Sequence, residues 1–184
     1  MIPVAELRDL LPRAAEIAAG LSHAEFNWHP VPGAWSIAEC LAHLNVIDEQ
    51  YAGKIRQSVV KARQSGVTGP GPFRLGWLET RFVRFLEPPY KLRFKSPKQF
   101  RPQPEHSVER VLEDWRRTRV ELLQLANNAK GLDLKRVRVA SPASDLISLS
   151  LMGAFAVAAA HDRRHLWQAG RIRAMLPKQS AASG

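Results

Sequence analysis

Cysteine is nearly absent: Cys40 is the only one in 184 residues. That excludes an intrachain disulfide and any cysteine-built metal framework, so a metal site in this chain would have to use histidine and carboxylate. Long apolar runs are missing too. The longest, 151–160, has about half of the roughly 20 residues that a membrane-spanning helix needs, and it contains Gly153. The N-terminus lacks the basic-then-apolar order of a signal peptide, because Glu6, Arg8 and Asp9 interrupt the one candidate stretch. A cytoplasmic protein with no membrane contact is the expectation. Alternating apolar runs that would read as strands are also lacking, as are internal repeats. Positive charge is scarce at the start. Residues 1–50 hold Arg8 and Arg13 against seven acidic residues, whereas 51–184 hold 25 basic residues against ten acidic ones, for a net charge of +10. An anionic ligand, an interface between segments of opposite sign, or a soluble basic surface would each account for this. Nucleic acid is not the expected partner, because no aromatic–basic recognition motif, finger or helix-turn-helix signature is present.

What the chain does have is apolar material, 45% of its residues. That is enough to enclose a core in one domain, placed at 1–176 with a flexible tail at 177–184. Apolar residues recur at helical spacing in four segments. The first, 4–21, includes Val4, Leu7, Leu11, Ala14 and Ile17, with Pro12 predicting a kink or a restart. After a turn-rich stretch at 27–35, Ser36 and Glu39 form the signature of a capping box. The second helix follows with Ile37, Leu41, Leu44, Ile47, Tyr51 and Ile55 on one face, and ends before Gly66. The third runs from an N-cap at Ser107 to about Ala129, with Gly131 as its stop. A linker through Pro142 leads to the fourth, from Ser148 or Ser150 to Ala174. Residues 66–106 hold seven of the thirteen prolines and one short helical stretch at 75–86. A connection of that length fits a crossover. The fold expected is all-α, a four-helix bundle of up-down-down-up order with a long crossover between helices 2 and 3.

Six histidines are the candidates for chemistry. His161 and His165 stand four apart on a helix, so both rings lie on one face, one turn apart, where they can share a metal. Ala154, Ala158 and Ala159 precede them and let another helix approach closely. Asp162 stands where a metalloprotease helix has glutamate. Its carboxylate is one methylene too short to reach a metal-bound water, so the protease reading is set aside. His43 falls at the edge of the second helix's stripe. That position suits a ligand in an interhelical crevice and equally a half-buried histidine bonded to backbone. His23, His29 and His106 read as loop or surface residues, and Cys40 as a small buried hydrophobe.

Two strings now carry a resemblance. Pro32-Gly33-Ala34-Trp35-Ser36, leading to His43, resembles the opening of the DinB-like (YfiT-like) superfamily. His161-Asp162-Arg163-Arg164-His165-Leu166-Trp167-Gln168 resembles that family's closing motif. The stretches 86–89 and 97–102 look similar to it as well. The resemblance implies a helical bundle, often dimeric, with His43, His161 and His165 as a three-histidine site for one divalent metal. Zinc is the first expectation, with nickel or iron as alternatives, since imidazole suits all three. Arg164 and Gln168 are candidates for supporting contacts. The family's known activities use low-molecular-weight thiols, as transferases or isomerases, or are metal-dependent hydrolyses. The expected function is metal-dependent transfer of a small thiol to an electrophile, by a homodimer. Metal-dependent hydrolysis, or a stress protein that binds metal or ligand without turnover, are the rivals.

Overall fold

The computed structural model describes residues 2, 4–89 and 96–177; the tail expected at 177–184 lies outside them from residue 178 onward. Pro12 divides the first segment into α1 (Val4–Leu10) and α2 (Arg13–Ala18), the restart expected of a residue without an N–H. The indole N–H of Trp115 donates to the Leu11 carbonyl at this break, at 2.9 Å. Arg173 donates to the carbonyls of Glu16, Ile17 and Ala19. It thereby sets a cation on the negative end of α2. A one-turn helix, α3 (His23–Phe26), follows, capped by Ser22 and Glu25.

The Ser36 capping box opens α4 (Ile37–Gln64) as expected. The Glu39 N–H donates to Ser36 Oγ at 3.1 Å, and the Ser36 N–H to Glu39 Oε2 at 2.8 Å. The helix stops at Ser65, and Gly66 takes φ +63°, a conformation that glycine adopts at little cost. The crossover contains α5 (Trp77–Leu86) and a 3-10 turn at Lys98–Phe100. Ser107 then caps α6 (Val108–Asn128), its Oγ accepting from the Arg110 N–H at 3.2 Å.

An all-helical description needs one correction, since 7% of the described residues are strand beside 61% helix. Where the sequence predicts only a linker, β1 (Arg138–Ser141) and β2 (Ser144–Ser150) form an antiparallel hairpin with an irregularity between Ala140 and Ser141. The pattern is invisible to periodicity because β1 has four residues and β2 carries serine at 144, 148 and 150. Val139 and Leu149 pair across the hairpin and are both buried. Ser150 ends β2 and also caps α7 (Leu151–Ala174), accepting from the Gly153 N–H at 2.9 Å. Glu79 of α5 ties the junction together, accepting from the Ser150 N–H at 2.6 Å, the Ser150 hydroxyl at 3.0 Å and the Gly76 N–H at 3.0 Å. Partial burial opposes its ionisation, yet these bonds hold its carboxyl below the usual range.

Helix α4 packs along α6 on one side and α7 on the other, while α1 and α2 close the far side against both α6 and α7. The core between them includes Leu7, Phe26, Leu41, Leu44, Leu122, Leu151 and Phe155, all fully buried. Gly153, Ala154 and Ala158 are buried on α7. Among the described residues no helix is long and apolar enough to cross a membrane.

Candidate metal centre

Helices α4 and α7 each present two kinds of polar residue to their surroundings. One kind lies inside the core. Arg119 of α6 is fully buried between Asp48 of α4 and Asp162 of α7, with a contact of 2.6 Å to Asp162 Oδ2 and an ion pair to Asp48. Its guanidinium also stacks on Trp115, 4.1 Å from the ring centroid. Burial pushes the Asp162 carboxyl up to about 7 against the pull of Arg119 and Arg163. Asp162 is thus occupied in the core and is not the base of a metalloprotease motif.

The other kind faces a cleft of about 1310 Å³ between α4, α5, α7, the hairpin and the crossover. The structure brings His43, His161 and His165 together at this cleft, with one nitrogen of each ring lying within 4.8 Å of the others. The ring centroids are 5.2 Å apart for His43 and His161, 4.7 Å for His43 and His165, and 4.6 Å for His161 and His165. Trp35, delivered by the Pro-Gly turn, packs at a tilt against His43 and His165, with ring centroids 4.8 Å and 5.6 Å away.

Two rings are oriented by their other nitrogen. His43 Nδ1 lies 2.7 Å from the Phe100 carbonyl, which can only accept, so Nδ1 carries the proton and Nε2 keeps its lone pair. His165 Nδ1 donates to Gln168 Oε1 at 3.1 Å, with the same result. His161 Nδ1 is buried with no hydrogen-bond partner among the described residues. Burial lowers the pKa of all three. His165 goes down to about 3, with His43 and Arg164 adding to the effect. Three imidazoles kept neutral by burial, with a nitrogen of each gathered in one place, suit a divalent cation, which binds the neutral ring. Ligands of a tetrahedral zinc with bonds of about 2.0–2.1 Å stand roughly 3.3 Å apart, so small ring movements would complete the set. The cluster is compatible with a divalent metal.

The remaining histidines stay outside. His23 is exposed beside Asn27. His29 reaches Glu39 at 2.8 Å on the surface. His106 is half-buried against Asn27 through its backbone. Cys40 is fully buried, and burial pushes its thiol up, which suits a core residue. Sequence reasoning missed Phe100, whose contribution is a backbone carbonyl and leaves no side-chain signal. It also missed Asp48 and Arg119. Their signal was available, since each is a charged residue at a position where the helical stripe calls for an apolar one.

A mostly helical protein with three imidazoles converging from two helices at the floor of a cleft defines the class. The chain belongs to the DinB superfamily, whose family model matches residues 6–169. No curated protein and no solved structure matches it significantly.

Proposed function

We propose that His43, His161 and His165 hold one divalent metal ion, zinc first, with nickel or iron as alternatives, and that the protein transfers a low-molecular-weight thiol to an electrophile. The observation that carries the reading is the hydrogen bonding of two of the three rings, with the third close beside them. His43 and His165 each commit Nδ1–H to a protein acceptor and leave Nε2 free, in rings held neutral by burial. Three ligands leave a coordination position open, as in catalytic rather than structural zinc sites. A bound metal supplies Lewis acidity that deprotonates a coordinated thiol near neutral pH. The protein's part is to orient the rings through Phe100 and Gln168, and to hold the reactants in a cleft walled by Trp35, Phe82 and Phe85. The packed helices are read as a four-helix bundle of up-down-down-up order, and the assembly as a homodimer.

Metal content of freshly purified protein and of a His161→Ala variant tests the site. Stoichiometric metal in the wild type and its loss in the variant are expected; full occupancy of the variant overturns the assignment. Metal-loaded protein is then assayed with glutathione, bacillithiol, mycothiol and coenzyme A against a chloro-aromatic or an epoxide. Consumption of thiol and acceptor together is expected. Turnover of an ester or amide with no thiol present, and none in the thiol assays, replaces the transferase reading with hydrolysis.

A further inference from the structure

We propose that Arg119 is a positioning residue for the histidine trio: it braces Asp48 of α4 against Asp162 of α7 and so sets His43 opposite His161 and His165. The inference rests on the reading above for the ion, and on the contacts of the brace alone for the geometry.

The brace joins the two helices that carry the histidines, close to where they carry them. Asp48 follows His43 by five residues, a rotation of about 140° and a rise of about 7.5 Å, so ring and carboxylate leave α4 on different sides. Asp162 adjoins His161 and precedes His165 by three residues, so its carboxylate leaves α7 at a level between the two rings. Arg119 of α6 reaches both carboxylates with one guanidinium. Its Nη1 lies 2.6 Å from Asp162 Oδ2, and its Nη2 pairs with Asp48. A planar fork holds its nitrogens at a fixed spacing, so it sets the distance between the two carboxylates as well as attracting them. The fork is itself fixed: it lies over the Trp115 ring at 4.1 Å, and the Trp115 indole donates to Leu11 at the break between α1 and α2.

Stability does not account for these charges. All three side chains are fully buried, and well-packed apolar residues in place of a buried ion triad are often as stable or more so. What an apolar replacement lacks is direction. Ridges of large side chains set the register of two packed helices, but α4 buries alanine at 38, 42 and 52, and α7 at 154, 158 and 159. Surfaces this smooth specify register weakly, and a directional contact supplies it. The trio needs that register, because nitrogens from two helices have to meet at one point. They lie within 4.8 Å of one another, and metal–ligand distances tolerate only about 0.2 Å of error. A slide of α4 along α7 by a fraction of a turn takes His43 out of reach while both helices stay packed.

The test reads ring geometry and metal affinity in the full chain. Arg119→Lys keeps a cation in the core but offers a point charge in place of the fork. Arg119→Leu with Asp48→Asn and Asp162→Asn removes the charges together, and carries the same test if the lysine variant fails to fold. Leu122→Ala, a core truncation on the same helix, is the control for loss of stability alone. Nuclear Overhauser contacts between the rings of His43 and His165, whose centroids are 4.7 Å apart, are measured in metal-free protein. Zinc affinity is measured by competition with a chelator. Wild type and Leu122→Ala are expected to show the contacts and equal zinc affinity. The two brace variants are expected to weaken the contacts and to lower zinc affinity about tenfold or more. Contacts or zinc affinity unchanged in the brace variants, or weakened as much in Leu122→Ala, overturn the proposal. Failure of both brace variants to fold overturns it too, since the brace would then be a requirement of the fold rather than of the site. A wild type that shows the contacts but takes up no zinc removes only the metal reading, and the ring contacts then decide this one.

Discussion

The core charge cluster and the cleft histidines are built from the same two helices, yet they are opposites. Asp48 follows His43 by five residues on α4, and Asp162 adjoins His161 on α7. The aspartates turn inward, meet Arg119 and are closed off and fully buried. The histidines turn to the cleft and are neutral, with lone pairs left over. A buried charge without its partner is among the most costly things a core can hold, while a neutral imidazole facing a cleft is tolerated. The two regions should therefore respond differently to the loss of one member.

Removing Arg119 is the largest perturbation. Arg119→Leu leaves two carboxylates in the core with no cation, at a cost of about 3–5 kcal/mol. Urea unfolding should show a severe loss of stability, or no folded protein at all. Adding Asp48→Asn and Asp162→Asn to the same chain should restore much of it, because the buried charges are gone. An Arg119→Leu variant as stable as the wild type would end the claim that this cluster is an interdependent unit.

Acid should act on the other region. The cleft imidazoles resist protonation when folded, His165 down to about 3. In the unfolded chain they protonate near 6.5. Below about pH 6.5 the unfolded state therefore binds more protons, and the stability of metal-free protein falls as pH drops from there toward 3. Above that point the trio adds no further slope. Urea unfolding at about pH 7.5, 6.5, 5.5 and 4.5 measures the trend in the same way for wild type and for His165→Leu, which should show a shallower decline. Identical slopes would mean that the ring is not held neutral by the fold.

A finer distinction is whether the cleft depends on its supporting contacts. Gln168 accepts from His165 Nδ1 and so fixes which nitrogen faces the other rings. Gln168→Leu should keep one metal per chain but weaken its binding by about 10–100-fold, the usual consequence of losing such an orienting partner. Competition with a chelator measures this. Unchanged affinity would show that packing against Trp35 and His43 alone orients the ring.

The sequence made part of this legible, and the boundary has a physical reason. The capped helix starts at Ser36 and Ser107, the break at Pro12 and the stop at Gly66 are local features, written in residues a few positions apart. The convergence of His161 with His165 is local as well, because helix geometry fixes it. His43 joins them only through tertiary packing, and its residues alone left two readings open. The structure shows the ring buried and bonded to a backbone carbonyl, with one ring nitrogen within 4.8 Å of those of the other two histidines. The hairpin at 138–150 was missed because its strands are short and serine-rich, and pairing with each other rather than local propensity makes them strands. The charge cluster was missed because single charges on an apolar stripe are easily taken for exceptions, and their complementarity spans three helices.

The smallest effect concerns a second arginine on the same helix as Arg119. Arg117 lies two residues away, 52% exposed, with Asp114 at 3.2 Å and Glu49 of α4 at 3.4 Å. On paper its position resembles that of Arg119, one guanidinium between two carboxylates on neighbouring helix positions. Solvent makes the difference. Water screens each charge, either carboxylate is well hydrated without its partner, and holding long side chains in one geometry costs rotamer entropy. Arg117→Gln should therefore change stability by less than about 1 kcal/mol. That small effect should shrink further in about 1 M salt, where the screening length falls to roughly 3 Å. Arg119→Leu, with no water to screen it, should stay severe in the same salt. Paired urea curves at low and high salt check both statements. If the two variants lost stability equally, or if salt rescued Arg119→Leu, burial would not be what separates the core cluster from the surface pair.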